Sequence, residues 1–240
     1  MLKVKNLVKR YSKKPVLNGL SFHVKKAEIV GLLGSNGAGK TTAFYISTGL
    51  ISPDEGSVFF HDMDVTKLAM HQRAKMGLGY LAQEPSVFRD LSVEDNILCI
   101  LEILPLSKKM RKEKLETLLQ ELNLTSLRKK KALTLSGGER RRLEITRALV
   151  TEPTLLLLDE PFANIDPIAI QDLKNLIRHL KKRGISVLIT DHNAREIFSI
   201  VDRSYLLQEG KVLLEGSLDD FLNNDLAKKH YLGSDFSPSK

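Results

Sequence analysis

Three short runs of consecutive apolar residues stand out along the chain, at 28–33 (EIVGLL), 154–159 (TLLLLD) and 185–190 (ISVLIT). Continuous apolar runs of this length are typical of strands that are buried on both faces of a parallel sheet. Each run ends at polar residues, and an open α/β sheet places its ligand beyond the carboxyl ends of its strands. The pattern therefore predicts an α/β fold with a site where these strands end.

The rest of the chain has different periodicities. Residues 1–27 and 57–61 alternate apolar with polar positions, which predicts antiparallel strands. Helical spacing follows over 92–132, where Ser92 is a candidate N-cap, Pro105 ends the first helix and 112–124 is amphipathic. A strand, a helix from about 193 and a hairpin that turns at Glu209-Gly210 complete the chain. We expect a mixed sheet, N-terminal antiparallel strands and an inserted helical subdomain at about 84–150.

Length and composition favour one globular domain. The chain has 240 residues, of which 42% are hydrophobic and 28% charged. We expect a single domain over 1–232 and a frayed tail over 233–240. The chain contains no long uncharged apolar stretch, and its first residues alternate apolar with basic ones, so neither a membrane span nor a signal peptide is predicted. The single Cys99 is interpreted as a buried small hydrophobe, and we expect a cytoplasmic location.

The formal net charge is +8, with basic runs at 107–114 and 127–132. Such runs are typical of solvated helix faces, of surfaces that contact anionic membranes, or of nucleic-acid sites. Aromatic residues are few and do not interleave with the basic runs. We therefore expect no nucleic-acid partner.

A glycine-rich segment, GSNGAGKT at 34–41, follows the first buried run and fits the pattern G-x-x-x-x-G-K-[ST]. The glycines let the backbone curl so that successive N–H groups point at phosphate oxygens. Lys40 is expected to reach the β- and γ-phosphates, and the Thr41 hydroxyl to ligate Mg²⁺. The predicted nucleotide-binding residues of this segment are Gly34, Ser35, Asn36, Gly37, Ala38, Gly39, Lys40, Thr41 and Thr42.

Polar side chains also follow the other predicted strands. Asp159 ends the second run and suits the Mg²⁺ shell, and Glu160 suits polarisation of the attacking water. His192 follows the third run, where an imidazole can donate to the γ-phosphate or orient water. Gln83 is the remaining polar candidate. With Lys40, we expect Glu160 and His192 to be the catalytic residues of a hydrolase.

A second candidate anion site is LSGGERRRLEI at 135–145. Ser136 is a good N-cap, and the exposed N–H groups at the start of a helix suit an anion. One domain would then carry two phosphate sites.

These pieces, in this order, resemble the ATP-binding cassette (ABC) ATPases. The matching segments are GSNGAGKTT (Walker A), Gln83 (Q-loop), LSGGE (signature), LLLLDE (Walker B), ANID at 163–166 (D-loop), His192 (H-loop) and Tyr11 (the aromatic that stacks on adenine). The resemblance covers nearly the whole chain. It implies a P-loop NTPase fold, hydrolysis of ATP, and a Mg²⁺ site formed by Thr41, Gln83 and Asp159.

The resemblance also explains the second phosphate site. In this family the signature of one subunit binds the γ-phosphate held by the P-loop of the other, so a homodimer is implied. The residues expected to act on the opposite nucleotide are Ser136, Gly137, Gly138, Glu139 and Asp166. The family's usual LSGGQ is LSGGE here, and Glu139 lies near phosphate or pairs with an arginine such as Arg142. The D-loop ANID departs from the common SALD, which leaves open what Asn164 and Ile165 do.

Four longer segments resemble the ATPase subunits of lipopolysaccharide export transporters: TLSGGERRRLEI, LDEPFANIDP, LITDHNARE and YLGSDF. This resemblance implies a homodimer on the cytoplasmic face of the inner membrane, bound there through two transmembrane permease subunits, that extracts lipopolysaccharide. A helix of each permease would contact 82–96, where Phe88 and Arg89 are the expected groove residues. Phe88 either anchors that helix or folds inward.

Two alternatives stay open. The ATPase of a branched-chain amino-acid importer shares much of the core, although DHNARE and the tail argue against it. A non-transport ABC ATPase of DNA repair or translation is the other. Repair types insert long coiled coils between the motif halves and translation types carry two cassettes, whereas this chain has a short spacing and one cassette.

Overall fold

The computed structural model describes residues 1–12, 14–233 and 236. Its strands are β1 (Leu2–Tyr11), β2 (Lys14–Val24), β3 (Ile29–Gly34), β4 (Glu55–Phe60), β5 (Met63–Asp64), β6 (Leu78–Leu81), β7 (Leu155–Asp159), β8 (Ser186–Thr190), β9 (Arg203–Gln208) and β10 (Lys211–Gly216). Its α-helices are α1 (Lys40–Thr48), α2 (Met70–Lys75), α3 (Val93–Leu101), α4 (Lys108–Glu121), α5 (Gly137–Leu149), α6 (Pro167–Lys182), α7 (Ala194–Phe198), α8 (Leu218–Leu222) and α9 (Asp225–Ala227). Short 3₁₀ turns occur at Thr125–Leu127 and Ala132–Thr134, and a π-helical turn at Lys228–Leu232.

The central sheet has the order β10-β9-β3-β8-β7-β6. The five strands from β9 to β6 are parallel, and β10 pairs antiparallel with β9. The three apolar runs form β3, β7 and β8, whose residues are all buried, as their pattern predicts. Glu209 and Gly210, both with positive φ, make the predicted hairpin turn. The mixed α/β sheet is confirmed.

The N-terminal strands form a separate antiparallel sheet, in the order β2-β1-β4-β5. Its apolar side chains join α1 and one face of the central sheet in a continuous cluster, which contains Leu2, Phe22, Phe44 and Leu157. The other face of the central sheet packs with the helices in a second cluster. The sheet is therefore covered on both faces, which accounts for its continuous apolar strands.

The helices α3, α4 and α5 lie between β6 and β7 in the chain. Ser92 caps α3 as predicted, since its Oγ accepts a hydrogen bond from Asp95 N. The helix ends at Leu101, so the prediction that Pro105 ends it is wrong. The next helix contains most of the amphipathic stretch 112–124 but begins before it and ends within it. The Ser107 cap, which accepts from Met110 N, starts α4 at Lys108, and α4 ends at Glu121.

The C-terminal elements pack back on the core. Asn193 caps α7, close to the predicted start. The Phe198 ring contacts Phe221, with ring centroids 5.0 Å apart, and Phe236, at 6.1 Å. Apart from Gly233 and Phe236, the tail expected at 233–240 lies outside the described residues. Cys99 is partly exposed rather than buried. Among the described residues, no helix is long and apolar enough to cross a membrane.

Candidate functional site

Four parallel strands deliver the predicted polar residues to one edge of the central sheet. The strands β3, β8, β7 and β6 are neighbours in this order. Their carboxyl ends meet at the same edge. The glycine-rich segment follows β3, Asp159 ends β7, and Gln83 and His192 come two residues after β6 and β8. A cavity at this edge is lined by Val16, Asn36, Gly37, Gly39, Lys40, Thr41, Thr42, Glu160 and His192.

Lys40 is the buried cation of the glycine-rich loop. Its Nζ donates to the carbonyl oxygens of Gly34, at 2.7 Å, and Ser35, at 3.1 Å. Burial lowers the pKa of Lys40, and the nearby carboxylates of Glu160 and Asp159 oppose that shift. The loop thus places a positive charge where its own backbone curls, and this charge supplements the N-terminal dipole of α1.

Three predicted residues meet at Glu160. Gln83 Nε2 donates to Glu160 Oε2 at 2.7 Å, and His192 Nε2 lies 2.6 Å from Glu160 Oε1. Glu160 has φ 47°, a left-handed conformation that is unusual for a residue with a side chain. The structure therefore groups a carboxylate, an amide and an imidazole beside the glycine-rich loop.

Asp159 is more deeply buried than the neighbouring Glu160, with 2% of its surface exposed. Burial, and then the proximity of Glu160, raise the pKa of Asp159 to about 6. The hydroxyl of Tyr80 lies 3.5 Å from Asp159 Oδ2. A buried carboxylate of this kind gains from a bound cation, because the cation favours its charged form.

The donor set suits Mg²⁺ that arrives with a nucleotide. The described residues contain no group of three or more His, Cys, Asp and Glu side chains that could hold a metal ion. The predicted ligands Thr41, Gln83 and Asp159 supply a hydroxyl, an amide oxygen and a carboxylate. Mg²⁺ is ordinarily bound by one or two carboxylates, with waters and substrate phosphates completing its shell. These residues fit that role.

The signature segment starts α5. Ser136 is its N-cap, as predicted: Ser136 Oγ accepts from Glu139 N at 3.2 Å, and Ser136 N donates to Glu139 Oε2 at 2.8 Å. This reciprocal pair is a capping box. The proposed pairing of Glu139 with Arg142 is wrong, because the carboxylate bonds the backbone of its own helix start. The spacing S-x-x-E was the sequence signal for this arrangement.

The two signature glycines permit a close approach. A Cβ on Gly138 would lie 2.4 Å from Ala169 Cβ, and one on Gly137 would lie 3.0 Å from the carbonyl oxygen of Asn164. The starts of α5 and α6 therefore pack against each other. Asn164 has φ 57°, a left-handed conformation that asparagine tolerates. This conformation is a structural reason for an asparagine in ANID, where the family's common D-loop sequence is SALD. Asp166 caps α6 by accepting a hydrogen bond from Ala169 N.

Phe88 is on the surface, with 52% of its area exposed, so the inward interpretation is wrong. Asn96 fixes its backbone by exchanging two hydrogen bonds with Phe88 N and O. The Arg147 guanidinium lies 4.9 Å from the ring centroid. Arg89 is exposed, and Leu133 N donates to its carbonyl oxygen. Leu133 is itself a half-exposed apolar residue, so this part of the surface is apolar with cationic neighbours.

Tyr11 lies at the end of β1, with 48% of its surface exposed. The Lys9 ammonium is 5.9 Å from its ring centroid. An exposed ring at this position is available for stacking.

Sequence reasoning missed Arg141, the most connected side chain of the site. It is 6% exposed, and its guanidinium donates to Glu144 Oε2 at 2.8 Å and to the carbonyl oxygens of Ala82 and Asp159, both at 3.0 Å. A longer contact, at 3.3 Å, reaches the carbonyl oxygen of Glu160. Arg141 thus ties α5 to the backbone beside Gln83 and beyond β7. In the sequence it is one of three consecutive arginines, and nothing local distinguishes it.

Known proteins resemble this chain in sequence and in fold. The family model described as "ABC transporter" matches residues 17–163. Over 236 residues, the chain is 52% identical to the lipopolysaccharide export system ATP-binding protein LptB of Acidithiobacillus ferridurans, with 98% of each chain covered. The ADP conformation of an ATP-binding cassette of an ABC transporter matches with a TM-score of 0.87 and 30% identity, covering 98% of this chain and 99% of the other. A dimeric structure of a bacterial ABC transporter cassette matches with a TM-score of 0.80 and 25% identity, covering 91% and 99%.

Proposed function

The chain belongs to the ABC transporter ATP-binding family, and from that premise we propose that it powers the export of lipopolysaccharide. It is an ATP-binding subunit whose ATP hydrolysis is coupled to transport. The observation that carries the proposal is 52% identity, over 98% of both chains, to a protein named for lipopolysaccharide export. The branched-chain amino-acid importer and the non-transport ATPases are not favoured.

In the proposed reaction the glycine-rich loop and α1 bind the phosphates of ATP. Lys40 exchanges its carbonyl partners, Gly34 and Ser35, for β- and γ-phosphate oxygens, and Thr42 donates one further bond. Thr41, Asp159 and Gln83 would hold a Mg²⁺, which would neutralise phosphate charge when bound. Tyr11 stacks on the adenine.

Glu160 is the proposed general base. Its carboxylate accepts a proton as the water oxygen bonds the γ-phosphorus and the bond to the β-phosphate oxygen breaks. His192 Nε2, 2.6 Å from Glu160 Oε1, orients the carboxylate before ATP binds and exchanges this contact for a hydrogen bond to the γ-phosphate. Gln83, which donates to the same carboxylate, senses whether the γ-phosphate is present.

A change of Glu160→Gln tests this assignment. The amide cannot accept the proton, and loss of general-base help costs about 10²- to 10⁴-fold in rate. We expect the variant to bind ATP, hardly hydrolyse it and accumulate as a dimer, which size-exclusion chromatography with ATP and Mg²⁺ detects. Turnover at the wild-type rate would show that the base is another group.

ABC ATPase cassettes act as dimers with membrane permease partners. We propose that this chain forms a homodimer in which the signature of one subunit completes the site of the other. Ser136, Gly137, Gly138 and Asp166 would contact the opposite nucleotide, with Glu139 holding the helix start. Loss of the γ-phosphate removes this contact and opens the dimer, as a two-state switch requires.

We propose that two transmembrane permease subunits bind at Phe88 and Arg89 and hold the dimer on the cytoplasmic face of the inner membrane. A half-exposed aromatic with a cationic neighbour is the kind of residue that dominates interface energy. Phe88→Ala should therefore cost about 2–4 kcal/mol of partner binding. The isolated subunit should keep its melting temperature and ATPase activity. A large loss of melting temperature with normal partner binding would contradict this.

Reconstitution tests the transported substrate. The chain, co-purified with its permease subunits, is placed in liposomes that contain lipopolysaccharide, with the Glu160→Gln complex as the control. ATP-dependent extraction of lipopolysaccharide by the wild type alone is the expected result. ATP-dependent uptake of branched-chain amino acids without extraction would favour the importer instead.

A further inference from the structure

A buried carboxylate stands directly behind the catalytic edge. Asp191 follows the last residue of β8 and is 4% exposed. Its Oδ2 accepts a hydrogen bond from Phe162 N, and its Oδ1 accepts one from Asn193 N, both at 3.0 Å. The two donors belong to different segments: Phe162 comes two residues after Glu160, and Asn193 comes one residue after His192.

These bonds fix the backbone on both sides of the Glu160–His192 contact. Glu160 N donates to the carbonyl oxygen of Thr190 at 2.8 Å, so Glu160 is tied to the end of β8. Asp191 ties the residues that follow Glu160 to the same point. Glu160 has φ 47°, and such a conformation persists only where the surroundings determine it.

Water cannot easily replace the Asp191 carboxylate as the acceptor of the hydrogen bond from Phe162 N, because this bond is buried. Both the carboxylate and Phe162 are buried, and burial raises the pKa of Asp191 while its two N–H donors lower it. The buried N–H of Phe162 would be destabilising without an acceptor, so the segment after Glu160 would move to find another partner. That movement would separate Glu160 from His192.

We propose that Asp191 is a positioning residue for ATP hydrolysis, which holds the segments of Glu160 and His192 in register. The proposal rests on the catalytic roles proposed above for these two residues. Asp191 acts through them, by the geometry of two backbone hydrogen bonds. A displacement of about 1 Å at a reacting group can lower a rate by about 10²-fold.

Steady-state kinetics of the full chain with ATP and Mg²⁺ tests this. Asp191→Ala should lower kcat by about ten- to a hundredfold, while KM for ATP stays within about threefold. Asp191→Asn keeps one carbonyl acceptor for the two N–H groups, so its kcat should lie between those of Asp191→Ala and the wild type. The chain also offers a matched control, Asp202, which accepts a backbone hydrogen bond from Ile29 N at 2.9 Å and precedes β9. Asp202→Ala should lower the melting temperature and leave kcat unchanged.

An unchanged kcat in Asp191→Ala would overturn the proposal. Equal losses of kcat in Asp191→Ala and Asp202→Ala would overturn it as well, since they would indicate general destabilisation. If Asp191→Ala does not fold, Asp191→Asn decides: a lower kcat at unchanged KM supports the role, and a wild-type kcat removes it. Glu160→Gln is measured alongside. Its inactivity beside a wild-type-like Asp191→Ala would remove only the role of Asp191, whereas an active Glu160→Gln would remove the proposed base.

Discussion

The two candidate phosphate sites of the chain, the glycine-rich loop at 34–41 and the signature segment at 135–145, are built differently. The loop encloses its own buried cation, Lys40, which its carbonyl oxygens already bind. The signature has an exposed serine, and its capping box pairs the backbone N–H groups of Ser136 and Glu139 within the start of α5. Its glycines serve the packing of α5 against α6.

The difference indicates which site can bind ATP alone. The loop offers curled backbone, an ammonium group and neighbouring carboxylates at one sheet edge, so we propose that it binds a nucleotide with its cation in the isolated chain. The signature offers one hydroxyl and a helix start, which suffices for a single phosphate group that another surface already holds. We therefore propose that the chain carries one full site, the loop, and one half-site, the signature.

The largest expected effect on ATP affinity comes from removing the cation of the full site. Lys40→Ala should weaken ATP binding to the isolated chain by about ten- to a hundredfold, the range for a lost charged hydrogen bond. Titration with a fluorescent ATP analogue measures this. The exposed Lys26 provides a control, since Lys26→Ala should bind ATP normally. Normal binding by Lys40→Ala would show that the loop does not need its ammonium group.

The next prediction concerns the ATPase rate when Ser136 of the half-site, the signature segment, is replaced. Ser136→Arg places a long side chain at the exposed start of α5 and should lower the ATPase rate by at least about 10²-fold, because a misplaced phosphate contact costs that much. ATP affinity of the isolated chain should stay within about twofold. Ser136→Ala, which removes only the hydroxyl, should be milder. Loss of ATP binding by the isolated Ser136→Arg chain would contradict the division into a full site and a half-site.

A smaller effect is expected on thermal stability when a glycine of each site is replaced by alanine. Gly138→Ala puts a methyl group 2.4 Å from Ala169 Cβ, and overpacking costs about 1–3 kcal/mol. Gly37→Ala meets no atom within 4 Å but has φ +80°, a conformation that costs an alanine about 1 kcal/mol. Thermal melting should therefore show the larger loss for Gly138→Ala. The reverse order would show that the signature glycines are kept for the phosphate rather than for packing.

The smallest expected effect concerns Glu139. Glu139→Gln keeps an acceptor for Ser136 N but removes a negative charge from a helix start, where it stabilises by about 0.3–1 kcal/mol. The melting temperature should fall slightly. ATP-driven dimerisation should tighten by about two- to fivefold, because the same charge repels phosphate. Analytical ultracentrifugation with the Glu160→Gln background measures this, and a weaker dimer would contradict it.

Local patterns predicted the parts of the fold that depend on local chemistry. The runs at 28–33, 154–159 and 185–190 gave β3, β7 and β8 because a strand buried on both faces has to be continuously apolar. Helix ends were less predictable. The α4 boundary follows the Ser107 cap, which precedes the amphipathic stretch.

The glycine-rich loop, Gln83, Asp159, Glu160 and His192 lie at or just beyond strand ends, where the sheet topology brings them together. Arg141 and Asp191 were missed for a physical reason. Both side chains bind backbone groups of segments that are distant in sequence, such as those of Ala82 and Phe162. Because nearly every residue carries a backbone carbonyl and N–H, the sequence does not indicate which of them a side chain will bind. Glu139 was misassigned because charge suggested arginine, while the short S-x-x-E spacing favoured its own helix start.

One measurement tests most directly the claim that the half-site serves the opposite subunit. A mixed dimer is assembled from one Lys40→Ala chain and one Ser136→Arg chain, and its ATPase rate is compared with those of the two parent homodimers. In the mixed dimer, the loop of the second chain faces the signature of the first, so one complete site survives. We predict hydrolysis well above both parents. A mixed dimer as inactive as either parent would contradict the account.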